Sequence, residues 1–150
     1  MTDKKIALVT GGNRGIGFAI CRGLGKEGFH VVLGSRNLAK GKKAAATLCQ
    51  EGLDVEAIAL DVDKMGDIKK AMAYIKKKFK RLDVLINNAG VYLDVEKRNS
   101  VFLAKPQTII KNIETNALAP MILTQLAVPL MKKTGSGRIV NMSSGMGQLI

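Results

Sequence analysis

The sequence predicts a doubly wound α/β fold, a parallel sheet with helices on both faces. Three observations predict it. Short apolar runs recur along the chain, stretches with apolar residues at helical spacing separate them, and a glycine-rich segment from Thr10 to Gly17 joins the first run to the first helical stretch. Short continuous apolar runs suit strands buried on both faces. Strands that alternate with helices build a parallel sheet through right-handed crossovers. At 150 residues the chain reads as one domain, 1–150, long enough to bury a core.

The first run, Ile6-Ala7-Leu8-Val9, reads as a buried strand, and Thr-Gly-Gly-Asn-Arg-Gly-Ile-Gly follows it. Ile16, Ala19, Ile20, Gly23 and Leu24 then recur at helical spacing. Strand, glycine turn and helix together form the context of a phosphate-binding loop. Gly11 suits a turn where a Cβ would clash, Gly15 lets backbone approach a diphosphate, and Gly17 lets the helix sit close to the sheet. The helix start turns unpaired N–H groups and a positive dipole end toward an anion. The spacing is Gly11-x-x-x-Gly15-x-Gly17, and an ordinary strand-to-helix turn is the competing explanation.

The second strand is His30 to Leu33, followed by Ser35-Arg36-Asn37. An acidic residue at this corner would bond the ribose hydroxyls of NAD, and none is present. Arg36 stands there instead and Arg14 lies in the glycine loop. Two guanidinium groups suit a 2′-phosphate, although either could be a solvated surface charge. Asn37 is placed to cap a helix that runs through Ala44, Ala45 and Leu48 and stops near Gly52. Strand three is Val55 to Leu60, with Asp61 at its end. Asp61 could simply turn the chain, and Asp63 could cap the next helix.

That next helix carries Ile68, Ala71, Met72, Ile75 and Phe79 on one face, which puts Tyr74 and Lys78 on its flank. Strand four, Asp83 to Ile86, leads into Asn87-Asn88-Ala89-Gly90, where small residues allow close approach to backbone. Val91 to Lys105 reads as an irregular connection. A long helix from Pro106 to Lys133 opens on a favoured proline. Its interior contains Asn116 and, four residues on, Pro120. Because Pro120 has no N–H, the Asn116 carbonyl loses its ordinary partner and a bend is expected there. Gly135-Ser136-Gly137 turns the chain into strand five, Arg138 to Met142, and Ser143 and Ser144 end it.

These landmarks resemble the short-chain dehydrogenase/reductase family, in family order and across nearly the whole chain, most nearly its carbonyl-reductase type. The resemblance implies a Rossmann fold with strand order 3-2-1-4-5. It implies that NADP(H) binds at Gly11, Asn13, Arg14, Gly15, Ile16, Gly17 and Arg36. It further implies that Asp61 bonds the adenine amino group, that Val62 flanks the ring, and that Asn88, Ala89 and Gly90 also contact cofactor. Asn116 is implied to support a proton relay through its main-chain carbonyl. Pattern alone does not choose between Ser143 and Ser144; the resemblance assigns the catalytic hydroxyl to Ser144. The implied reaction is reduction of a small-molecule carbonyl by NADPH, or the reverse oxidation of an alcohol, and the full-length parent is expected to be a homo-oligomer. The cytoplasmic location expected here rests instead on the two cysteines read as reduced thiols.

The chain also departs from the family pattern. The family's catalytic Tyr and Lys follow the catalytic Ser on the next helix, and no such pair follows Ser144. Tyr74 and Lys78 match Tyr-x-x-x-Lys, but on the helix between strands three and four, and are set aside. We therefore expect a fragment of a longer reductase, truncated before strands six and seven, with strand five as an exposed apolar edge and no catalysis of its own.

Composition narrows the rivals. Hydrophobic residues make up 47% of the chain, and no apolar run approaches the roughly 20 residues of a membrane span. Cys21 and Cys49 have neither metal nor redox spacing and read as reduced packing residues. The net charge of +12 permits nucleic-acid binding. Yet the lysines are spread over several helices, and aromatics at 4% with no Trp leave bases little to stack on, so solvated helix faces are expected instead. A dinucleotide-binding module without chemistry is the remaining alternative to an enzyme.

Overall fold

The computed structural model describes residues 4–93 and 104–144. Expectations for 94–103, and for anything past Ser144, fall outside them. Five parallel strands alternate with helices. In chain order these are β1 (Ile6–Val9), α1 (Gly15–Lys26), β2 (His30–Ser35), α2 (Leu38–Gln50), β3 (Val55–Ala59), α3 (Met65–Lys78) and β4 (Val84–Asn87). After them come α4 (Pro106–Ile113), a π turn (Glu114–Leu118), α5 (Ala119–Lys132) and β5 (Arg138–Asn141). The sheet order is β3-β2-β1-β4-β5, as the resemblance implied. Leu8 of β1 lies in register with Val32 of β2 and Leu85 of β4.

Alternation along the strands divides the core in two. Ile6, Leu8, Val32 and Leu85 face one layer and meet Ile68 and Ile75 of α3 and Leu123 and Leu130 of α5. Ala7, Val9, Val31 and Leu33 face the other and meet Cys21 of α1 and Leu48 of α2. Each fully buried Leu, Ile or Val contributes about 1.5–3 kcal/mol relative to exposure. Burial also holds the Cys21 thiol up at about 12, so it stays neutral. Asp83 is buried at the start of β4 and fully engaged, since it accepts the Ile6 N–H at 2.8 Å and two Arg81 contacts at 2.6 and 2.9 Å. A buried carboxylate is tolerated when it is paired in this way. At the far edge, Asn87 Nδ2 donates to Asn141 Oδ1 at 2.8 Å, tying β5 in register to β4.

Three local expectations need correction. On α1 the buried residues are Gly17 and Cys21; Ala19 and Gly23 are exposed, and Ile16 is 65% exposed. Ile20 and Leu24 pack against the core as the spacing suggested, with Gly17 and Cys21 buried beside them. Cys49 is exposed rather than packed, and its thiol lies 3.2 Å from the Val55 carbonyl. Asp63 does not cap α3: Lys64 stands at the cap with no side-chain bond, while the Asp67 carboxylate accepts the Asp61 N–H at 3.1 Å. Asn37 does cap α2, accepting from the Lys40 N–H at 3.0 Å.

The expected long helix runs from Pro106 to Lys132, but in three pieces. Around Asn116 it widens into a π turn, where the Ala119 N–H reaches back five residues to the Glu114 carbonyl. The cause is Pro120. Without an N–H it cannot serve the Asn116 carbonyl, and the widened turn takes its ring inside a continuous helix. The last segments are the least covered. No residue of α4 is buried, and Arg138, Val140 and Asn141 of β5 are exposed. The exposed edge expected for strand five is therefore present among the described residues.

Candidate functional site

A cleft of about 670 Å³ opens where the chain leaves the C-terminal ends of β1, β2, β3 and β4. Gly11, Asn13, Arg14, Gly15, Ile16 and Gly17 line it from the first loop, Arg36 from the second, Asp61 and Val62 from the third, and Asn88, Ala89 and Gly90 from the fourth. Every residue expected to hold the cofactor is thus in the wall of one cleft. The exposure of Ile16 has its reason here, because the side chain belongs to the cleft and not to the helix-sheet interface.

Thr10, at the end of β1, organises the loop. Its hydroxyl accepts the N–H groups of Asn88 and Ala89 at 3.0 and 2.9 Å. The Asn88 side chain returns the contact, donating to the Thr10 and Gly11 carbonyls at 3.0 and 3.2 Å. The first turn of α1 rests on this lattice. A Cβ at Gly17 would sit 2.3 Å from the Gly11 oxygen and 2.5 Å from Asn88 Nδ2, so only glycine fits. The close approach is therefore to loop and Asn88, a refinement of the helix-on-sheet expectation. Gly15 has φ +55° with nothing within 4 Å of where a Cβ would point, which leaves bare backbone beside the cleft. No side chain caps α1. Its first-turn N–H groups thus keep their capacity for an anion, and the loop fits a diphosphate.

The cleft's charges are arranged unequally. Arg14, Arg36 and Lys40 line it, and none has a carboxylate within ion-pair distance among the described residues. Both acids of the wall are paired: Asp61 with Lys64 at 3.6 Å, and Asp63 with Lys111 at 2.6 Å. Asp63 also accepts the Thr115 hydroxyl. Burial pushes the Asp63 carboxyl up, but the Lys111 and Thr115 bonds, with the charges of Lys111 and Arg36, more than offset this and hold it below the usual carboxylate range. From the sequence Asp63 was named only as a possible helix cap, and neither Lys40 nor Thr115 was singled out for a site. Lys40 could have been, since it follows the Asn37 cap by three residues in the first turn of α2.

Asn116 and Ser144 stand outside the cleft wall. Asn116 borders it: its side chain accepts the Val91 N–H at 2.8 Å and donates to the Val91 carbonyl at 2.7 Å, clipping the π turn to the loop after β4. Ser144 is exposed beyond the end of β5. Among the described residues it makes no hydrogen bond with Asn116 or with the cleft. No group of His, Cys, Asp and Glu among the described residues could hold a metal, and no described helix is long and apolar enough to cross a membrane.

Residues 5–149 match the family model of short chain dehydrogenase. The chain belongs to that family. It is 37% identical to (+)-neomenthol dehydrogenase of Arabidopsis thaliana, over 97% of this chain and 55% of the relative. It is equally 37% identical to dehydrogenase/reductase SDR family member 4 of Homo sapiens, over 93% and 49%. The chain spans about half the length of these curated relatives. Among solved structures, a metagenomic short-chain oxidoreductase in complex with NADP superposes with a TM-score of 0.88 at 33% identity, covering 97% of this chain and 63% of that one. A gluconate 5-dehydrogenase from Burkholderia cenocepacia J2315, in complex with NADP and tartrate, gives 0.88 at 27% identity, covering 99% and 57%.

In this member of the family the Tyr74–Lys78 match lies in a contact of its own with Glu56. The Lys78 ammonium donates to the Tyr74 hydroxyl at 2.9 Å, and both groups bond Glu56, one residue into β3. The trio is tied to the N-terminal end of β3, whereas the cleft lies past the C-terminal strand ends, and neither Tyr74 nor Lys78 lines it.

Proposed function

We propose that the chain forms the nucleotide-binding part of an NADP(H)-dependent oxidoreductase that reduces a small-molecule carbonyl, or oxidises the corresponding alcohol. The observation that carries this reading is the cleft's charge pattern: bare glycine backbone at a helix start, with three cations left without ion pairs while both acids of the wall have lysine partners. The loop backbone binds the diphosphate, Arg14 and Arg36 bind the 2′-phosphate, and Asp61 and Val62 receive the adenine. NADPH, when bound, supplies the hydride. Ser144 hydrogen-bonds the substrate oxygen, and the Asn116 main-chain carbonyl, deprived of its ordinary helical donor, supports proton delivery. We further infer a cytoplasmic, homo-oligomeric whole protein that acts on neither nucleic acid nor membrane.

Nucleotide titration tests the cofactor reading. A hydrogen bond to a charged group is worth about 1.5–3 kcal/mol, so the wild type is expected to prefer NADPH over NADH by roughly ten- to hundredfold. Arg36→Asp is expected to abolish the preference. Equal wild-type affinities would overturn the reading.

A second reading, binding without turnover by the 150-residue chain itself, is favoured by the position of Tyr74 and Lys78. The chain's one Tyr-x-x-x-Lys pair is held by Glu56 away from the cleft. NADPH oxidation with a test carbonyl is expected to stay at background. Turnover that Tyr74→Phe abolishes would show this pair to be catalytic after all.

A further inference from the structure

Asp63 is one of two carboxylates in the wall of a cleft that also offers three cations to an anion. It lies on the same wall as Asp61 and Val62, close enough to Arg36 to feel its charge. Left alone, it would draw on Arg36 and repel a phosphate placed there. Both of its oxygens are instead engaged from the opposite segment. Lys111 of α4 holds Oδ2 at 2.6 Å, and Thr115 of the π turn donates to Oδ1. Thr115 is 3% exposed, so that side of the contact is fixed by packing. Lys111 does not itself line the cleft. The result is a wall acid neutralised from behind, with Arg36 left without an ion pair in front.

We infer that Lys111 is a specificity-determining positioning residue: by neutralising Asp63 it keeps Arg36 available to a 2′-phosphate. This rests on the reading that Arg14 and Arg36 receive that group. The competing role for Lys111 is mooring. α4 buries no residue, and the Asp63 pair could serve only to hold that helix. The two roles differ in what they do to the two nucleotides. Loss of a mooring loosens the cleft for NADPH and NADH alike. Loss of a neutralising charge penalises only the ligand with the additional phosphate, and removing Asp63 as well cancels the penalty.

The experiment measures dissociation constants of NADPH and NADH for the full 150-residue chain, with thermal melts to check folding. The variants are Lys111→Met, Lys111→Arg, Asp63→Asn, the Asp63→Asn/Lys111→Met double variant, and Arg36→Asp as control. Lys111→Met is expected to weaken NADPH about three- to tenfold and leave NADH unchanged, an effect that shrinks as salt screens the charge. Lys111→Arg is expected to retain the preference, and the double variant to recover it within about twofold. NADPH and NADH weakening together in Lys111→Met, or a double variant no better than the single, would overturn the inference. Should Lys111→Met fail to fold, Asp63→Asn alone decides: an unchanged or raised NADPH preference supports the inference, and a lowered one overturns it. A wild type without NADPH preference would instead sink the 2′-phosphate reading itself. A wild type whose preference Arg36→Asp abolishes and Lys111→Met leaves intact would sink only the role given to Lys111.

Discussion

The segment from residue 4 to residue 90 and the segment from residue 104 to residue 144 are built to different degrees of closure. In the first, β1, β4 and nearly all of β2 are buried, and each of α1, α2 and α3 turns a buried line toward the sheet. In the second, only α5 contributes a buried line, through Ala119, Leu123, Ala127, Leu130 and Met131. α4 leaves Ile109, Ile110 and Ile113 exposed, and β5 leaves Val140 exposed. The candidate site divides along the same boundary. Every residue expected to grip the nucleotide comes from the closed segment, where loop geometry is set by the core strands that enter it. Asn116 and Ser144 come from the open one. The cleft wall is thus drawn almost wholly from the closed segment, while the open one presents apolar surface that no described residue covers.

The sharpest way to break this comparison is to cut side chains on each side of the boundary. Leu8→Ala, at the centre of β1, is expected to cost about 2–5 kcal/mol in a urea melt. Ile110→Ala, at 54% exposure, is expected to stay within about 0.5 kcal/mol, helped by the helix preference for Ala. Similar costs at the two sites would show that the open segment is as well packed as the closed one.

A smaller effect is expected where the closed segment meets the cleft. Gly17→Ala forces a methyl against the Gly11 oxygen and Asn88, and is expected to cost about 1–3 kcal/mol and to weaken NADPH and NADH equally. Selective loss of NADPH would mean that Gly17 serves the 2′-phosphate corner instead of the loop.

The smallest effect lies on the closed segment's polar rim. Burial raises the Asp54 carboxyl, but its bonds to Lys4 and His30 outweigh this and leave it lowered. A carboxyl held below its unfolded value, about 3.9, contributes stability that is fully present above that pH and is lost as pH falls through the folded value. Asp54 is well exposed, so solvent screening limits the contribution to about 0.5 kcal/mol or less. Asp54→Asn is expected to flatten the acid limb of the stability curve by that amount, and an unchanged limb would discount the Asp54 contacts.

The five strands were legible because each carries a short apolar run, interrupted by Glu56 in β3 and reduced to Ile139-Val140 in β5, and the glycine loop because strand, glycines and helix stand next to one another in sequence. Arg36 was legible as the absence of an acid at an expected corner. Thr10 was not, because its hydroxyl matters only through main-chain groups of Asn88 and Ala89 in the loop after another strand. Lys111 and Thr115 were invisible for the same reason: nothing in their neighbourhood predicts a carboxylate 48 or 52 positions earlier. Cys49 misled because helical spacing fixes a period without its phase, and the side chain falls outside the buried line. The disturbance at Pro120 was predictable from its missing N–H. Its form, a widened turn, was not, since several geometries relieve the same clash.

That widened turn also acts as a rotation between two helices. In an α-helix each residue advances about 100° around the axis, so the extra residue accommodated between α4 and α5 offsets the faces they would share in one regular helix. Straightening Glu114–Leu118 into a regular α-helix with no residue removed would swing all of α4, with Lys111, through about that angle relative to α5, whereas deleting one residue there would remove the widened turn and leave the two faces as they stand. A proline and one additional residue thus set the azimuth at which the two helices look outward.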